Sequence, residues 1–161
     1  MTVGIGFDMH PLVAGRRLVL GGVEIPFAKG LEGHSDADVL AHAIIDAVLG
    51  AASAGDIGSC FGTDDPKYRD VSSLLLLKEA VRKVGALGYQ VGHIDATIIA
   101  EAPRLAPYIE QMRINLARVV GGVMEGVSVK ATTANRMGFL GSGGGIACLA
   151  TALLRRHGGT G

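Results

Sequence analysis

The chain has 161 residues, enough for one domain with a sizeable core, and 48% of them are hydrophobic. Lys plus Arg and Asp plus Glu number 15 each, so the formal charge is zero, which argues against holding nucleic acid or an anionic membrane by electrostatics. Aromatic residues are only 4% and Trp is absent, which speaks against a platform for stacking bases.

The first predicted element is a strand over Val3–Phe7. Arg17–Leu20 and Val23–Pro26 flank Gly21-Gly22, a two-residue hairpin signal. Ser35 suits an N-cap, with Asp38 three residues on. The helix that follows, Asp36 to about Ala52, carries Val39, Leu40, Ala43, Ile44, Ala47 and Val48 at helical spacing. Gly55 to Asp70 is polar and rich in Asp, Gly and Pro; such a long structureless connection favours a binding role. A second helix is expected from Ser72 or Ser73 to Leu87, a strand over His93–Ala100, a third helix over Pro107–Val120 and a strand over Val127–Thr133. Gly138–Gly145 reads as a Gly-rich loop, Ile146–Leu154 as helix or buried strand, and Gly158–Gly161 as a disordered tail. This order predicts an α/β (α+β type) fold, a mixed sheet with helices on one face. The face left uncovered, together with 25 glycines and few aromatics, points to an oligomer.

The two cysteines, Cys60 and Cys148, fit neither a redox pair nor a zinc ribbon and are expected to be small apolar side chains. Neither a secretion signal nor an apolar run long enough for a bilayer is recognisable, so a cytoplasmic location is expected.

Chemistry concentrates in Asp8-Met9-His10 and in His34-Ser35-Asp36-Ala37-Asp38 with His42 and Asp46. Residues two apart on a strand project from one face, so Asp8 and His10 offer a carboxylate and an imidazole together. His42, on the first helix, supplies a third ligand. Three N and O ligands leave a tetrahedral zinc ion an open position, the mark of a catalytic site. Asp38, His42 and Asp46 fall at helical spacing on one polar stripe, so a carboxylate beside His42 is expected to fix its tautomer; a solvated helix edge is the alternative. His34, just before the expected N-cap, lies where helix N–H groups attract phosphate. Asp56-Ile57-Gly58 suits a sugar hydroxyl or simply a turn. Lys130-Ala131-Thr132-Thr133 ends a strand with hydroxyls that suit phosphate, or merely reflects β-propensity. Gly141-Ser142-Gly143-Gly144-Gly145 lacks the ending of a P-loop. His93 and His157 receive no role.

These motifs, in this order over nearly the whole chain, resemble the 2-C-methyl-D-erythritol 2,4-cyclodiphosphate synthase family of the non-mevalonate isoprenoid route. The resemblance rests on Gly6-Phe7-Asp8-Met9-His10, Gly33-His34-Ser35-Asp36-Ala37-Asp38, His42, Gly55-Asp56-Ile57-Gly58, Asp65-Pro66, Ala102-Pro103-Arg104, Lys130-Ala131-Thr132-Thr133 and Gly138-Phe139. It implies a single synthase domain and a homotrimer with three sites between neighbouring subunits. It also implies zinc held by Asp8, His10 and His42, with a substrate phosphate oxygen as fourth ligand. His34 and Thr133 would stabilise the transition state. Substrate would be bound by Asp8, His10, His34 and Ser35, by Asp56, Ile57 and Gly58 at the sugar hydroxyls, and by Phe61, Gly62, Thr63, Asp64 and Asp65 at the methylerythritol end. Ala100, Glu101, Ala102, Pro103, Arg104, Leu105 and Ala106 would form the cytosine pocket. Thr132, Thr133, Ala134 and Asn135 would meet the diphosphate, with Phe139 and Ser142 nearby. The implied reaction closes 4-diphosphocytidyl-2-C-methyl-D-erythritol 2-phosphate into a cyclic diphosphate and releases CMP.

The chain departs from the family pattern in three places. Asn135 stands where a Glu usually ligates a second divalent ion, magnesium or manganese, across the phosphates. Gly141-Ser142-Gly143-Gly144-Gly145 replaces Gly-Arg-Gly-Glu-Gly, and the usual Pro-Asp after Phe61 is missing. Beside the cyclising lyase, a zinc-dependent phosphohydrolase and a non-catalytic trimer that binds cytidine nucleotides are the competing readings.

Overall fold

The computed structural model describes residues 1–62, 68 and 71–156. Thr63, Asp64, Asp65 and Pro66, expected at the substrate, and the tail expected at 158–161 lie outside the described residues. A five-stranded mixed sheet has the order β4-β1-β7-β5-β6, formed by β1 (Thr2–Ala14), β4 (Lys29–Leu31), β5 (Tyr89–Ile99), β6 (Val127–Thr132) and β7 (Gly145–Arg156). Only β5 and β6 run parallel, and α4 (Ile109–Val120), preceded by a 3-10 turn at Ala106–Tyr108, links them. Strands β2 (Leu18–Leu20) and β3 (Val23–Ile25) form the expected hairpin, with positive φ at Gly21 and Gly22. Helix α1 (Val39–Ala51) packs on β1 and β7, α3 (Ser73–Ala86) lies beside it, and α4 packs against β6. No helix among the described residues is long and apolar enough to cross a membrane.

The fold class agrees with expectation; several local details do not. Ile146–Leu154 is strand. Ile146, Cys148, Ala150, Ala152 and Leu154 are buried at every second position beneath the helices. Their alternation was hidden because the other face is apolar too, as at Ala147, Leu149 and Leu153. Two segments read as loops hold short helices, α2 (Ile57–Phe61), closed by a capping box between Asp56 and Ser59, and α5 (Gly138–Gly141). The cap of α1 is Asp38, not Ser35. Its fully buried carboxylate accepts from Ala41 N at 3.1 Å, Gly21 N at 2.9 Å and Gly22 N at 2.8 Å, tying the hairpin turn to the helix start. Burial, with the negative Asp36 nearby, pushes the Asp38 pKa up to about 6 against the pull of those donors.

On β1 the residues facing α1 are Gly4, Gly6, Asp8 and His10. A Cβ at Gly4 would lie 2.1 Å from Ala47 O, and one at Gly6 would lie 2.0 Å from Ala43 O. Glycine on the strand and alanine on the helix therefore let the two backbones approach closely. We expect Gly6→Ala to push α1 off β1 and cost roughly 1–3 kcal/mol. Gly85→Ala in α3, where an added Cβ meets nothing within 4 Å, should instead stabilise by up to about 1 kcal/mol. Urea unfolding of the two variants, side by side, checks both signs.

Candidate functional site

The close contact of α1 with β1 decides the position of His42. Immediately before Ala43, in the first turn of α1, its ring reaches Asp8 and His10. The Asp8 Oδ2 atom lies 2.9 Å from His42 Nδ1 and 2.9 Å from His10 Nε2, and the two nitrogens are 3.2 Å apart. Ligand atoms on a tetrahedral ion at zinc distances sit about 3.3 Å from one another. The observed triangle fits that spacing, and two imidazoles with one carboxylate are donors a zinc ion accepts. Among the described residues this is the one group of three or more His, Cys, Asp and Glu side chains with the spacing of a metal site.

Each side chain is held from behind. Asp8 Oδ1 accepts from Met9 N at 2.9 Å. The Glu32 backbone beside His10 favours its protonated form. His42 Nε2 lies 2.8 Å from Ser73 Oγ and 3.1 Å from Ser35 Oγ, deep between α1 and α3. Burial alone would raise the Asp8 pKa, but hydrogen bonds and charge from His10 and His42 outweigh it and hold the carboxyl far below its usual range. Burial would lower the His10 pKa, yet the Asp8 bond and charge win and raise it above the ordinary 6.5.

The cluster forms part of the wall of a cavity of about 380 Å³, together with His34, Ser35, Ile57, Gly58, Phe61 and Gly62 from the expected set, and Tyr68 and Leu76. Capping of α2 by Asp56 aims Ile57 and Gly58 into this cavity, while the Asp56 carboxylate itself accepts from Ser59 N at 2.7 Å and is exposed. A second cavity of about 320 Å³ gathers Ala100, Glu101, Pro103, Arg104, Leu105 and Ala106 with Thr132 and Thr133. Ala102 is not on its wall. One Glu101 carboxylate oxygen accepts from Ala134 N at 2.9 Å and Arg136 N at 3.1 Å, shaping the turn after β6. Thr133 and Asn135 bond each other within that turn. Ser142 donates to Phe139 O at 2.9 Å, and both residues lie off the walls of these two cavities.

Two expectations need correction. Asp46 accepts from Ile57 N at 2.8 Å, and Asp38 caps α1, so neither carboxylate bonds the His42 ring. That ring meets Ser73 and Ser35 instead. His34 is not beside the helix cap, since the cap is Asp38; it reaches the cavity from the preceding loop. Ser73 was missed because a serine at a helix start reads as a cap and nothing else; only tertiary contact turns its hydroxyl toward His42.

A raised His10 pKa means that a metal ion competes with a proton there, more strongly as pH falls. In the metal-free protein, the Asp8 contribution is present above its ordinary 3.8 and fades on acidification, while the His10 contribution is full below 6.5 and fades as pH rises. Zinc should therefore raise the melting temperature progressively more between about pH 5.5 and about pH 7.5, as thermal scans with and without zinc will show.

A family model described as the YgbB family matches residues 1–155. The 2-C-methyl-D-erythritol 2,4-cyclodiphosphate synthase of Moorella thermoacetica is 55% identical, over 96% of this chain and 94% of its own. The bifunctional IspDF of Campylobacter jejuni superposes with a TM-score of 0.93 at 39% identity, over 97% of this chain and 42% of that one. The IspF of Plasmodium falciparum, solved as a CDP complex, superposes with a TM-score of 0.84 at 30% identity, over 96% of each chain. The matched span takes in the Asp8, His10 and His42 cluster and both cavities, and the chain belongs to the YgbB family, that of the 2-C-methyl-D-erythritol 2,4-cyclodiphosphate synthases.

Proposed function

We propose that this single-domain phosphorus–oxygen lyase converts 4-diphosphocytidyl-2-C-methyl-D-erythritol 2-phosphate to 2-C-methyl-D-erythritol 2,4-cyclodiphosphate and CMP, in the cytoplasm. An oxygen of the 2-phosphate attacks the β-phosphorus. The new phosphorus–oxygen bond closes the ring, the bond from the β-phosphorus to the bridging oxygen breaks, and CMP departs with that oxygen and its electron pair. The observation that carries this reading is the convergence of Asp8, His10 and His42 beside a cavity whose wall also holds His34, Ile57 and Gly58. The CDP bound by the Plasmodium falciparum relative supports a cytidine nucleotide as ligand.

A phosphate monoester has its second pKa near ~6, so the nucleophile is already ionised and no strong base is needed. The obstacles are repulsion between phosphates and the folding back of a flexible chain. Asp8, His10 and His42 would hold zinc, a Lewis acid that takes up charge from a phosphate oxygen. His34 would add a donor in the same cavity, and Thr133 another on the transferred phosphoryl group. Positioning by the two cavities would contribute too; well-oriented internal reactions gain roughly 7–11 kcal/mol. The Ala100–Ala106 segment would hold the base, Asp56 and Gly58 the sugar hydroxyls, and Thr132 the diphosphate. A second ion, magnesium or manganese, would find only the neutral amide of Asn135, a weaker ligand than carboxylate for a hard cation.

We read the working unit as a homotrimer, each site joining the metal cavity of one chain to the second cavity of a neighbour. Supporting this, the sheet face away from the helices exposes Val3, Ile5, Phe7, Met9 and Leu149, an apolar stripe that a monomer seldom leaves to solvent. Phe7→Lys should reduce the mass in solution from three chains to one at micromolar concentration. An unchanged mass would place the interface elsewhere.

Incubation with the authentic substrate, followed by phosphorus NMR, should yield cyclic diphosphate and CMP in equal amounts. Linear products would point to hydrolysis, and CMP binding without turnover to a non-catalytic role. His42→Ala should lower turnover at least about a hundredfold and lower bound zinc, with its trimer intact.

A further inference from the structure

We propose that Ser73 and Asp36 are positioning residues that hold the His42 imidazole with its proton on Nε2 and its Nδ1 lone pair aimed at the ion, an inference that rests on the metal reading above. Asp36 grips Ser73 twice. Its Oδ2 accepts from Ser73 N at 3.1 Å, and its Oδ1 accepts the Ser73 hydroxyl. A carboxylate only accepts, and a serine has one proton to give, so that proton is committed to Asp36. The Ser73 oxygen, 2.8 Å from His42 Nε2, is then left as an acceptor and requires a proton on Nε2.

The remaining groups agree. Ser35 Oγ accepts from Ala37 N at 3.2 Å and lies 3.2 Å from Ser73 Oγ and 3.1 Å from His42 Nε2, so it completes the same polar knot. The opposite tautomer would set the Nε2 lone pair against that of Ser73 at 2.8 Å, in a place where Ser73 is fully buried and Ser35 nearly so. Water cannot relieve that clash, and an unpaired buried polar group is costly. The His42 ring is thus oriented by the bond on the nitrogen that faces away from the ion.

The test measures zinc affinity by chelator competition on the full chain, with apo melting temperature recorded in parallel. Wild type should bind about one zinc per chain and His42→Ala far less; if wild type binds none, the metal reading fails and this inference falls with it. Given zinc binding, Ser73→Ala should weaken affinity roughly 10–100-fold, Asp36→Asn should weaken it less, and Ser73→Thr, which keeps the hydroxyl, should restore most of it. A purely structural role would lower the apo melting temperature and leave affinity within about twofold, which would overturn the proposal alone. Should Ser73→Ala not fold, nitrogen-15 NMR of zinc-loaded wild type decides: a His42 ring protonated on Nε2 supports the assignment, and one protonated on Nδ1 refutes it.

Discussion

The contact on which the site depends is the backbone-to-backbone approach of α1 to β1 at Gly4 and Gly6. A strand and a helix normally stand apart by the thickness of their side chains. Here the strand has none at two positions, and the helix presents Ala43, Ala47 and Ala51. Along the same strand face the glycines give way to Asp8 and His10, and along the helix the alanines give way to His42. The separation set by the first pair of features brings the second set within 3.2 Å of one another. Core packing and site geometry are therefore one constraint, since neither histidine can be moved without moving the helix or the strand that carries it.

Around this contact lies a layer of polar groups with divided duties. Asp38 binds the hairpin turn to α1, Asp46 binds the start of α2 to the middle of α1, and Asp36 binds the start of α3 through Ser73. Three of the acidic residues around the first helix thus fasten backbone to backbone. Asp8 alone faces both imidazoles, and its pKa is held low by them despite burial. This division explains how a chain of zero net charge concentrates an ionised carboxylate at one point.

The two cavities divide their lining residues just as sharply. One holds the histidines and the α2 turn; the other holds the Ala100–Ala106 segment and the threonines that end β6. The first set comes from β1, α1, α2 and the loop before α1; the second lies at the ends of β5 and β6 and in the segments that follow them. Among the described residues the opposite sheet face carries no helix and keeps an apolar stripe. In the proposed trimer, contact across that face would bury the stripe.

Much of this was legible before the coordinates. Period-two spacing put Asp8 and His10 on one face of a strand, and helical spacing from Val39 to Val48 put His42 on a helix, because local geometry alone sets those directions. Residues 57–61 escaped notice as a helix, since a single capped turn has too few residues to display a period. The last strand stayed ambiguous because both of its faces are apolar, one beneath helices and one on the uncovered side. Partnership was beyond the sequence altogether. Asp38 and Asp46 share a helix stripe with His42, yet the ring turns to Ser73, thirty-one positions away. The sequence by itself determined which residues are available for chemistry and the directions in which they leave the backbone. Only the tertiary structure decided which of them meet, because that depends on how closely α1 settles on β1, a distance governed by the absence of two side chains and the packing of everything around them.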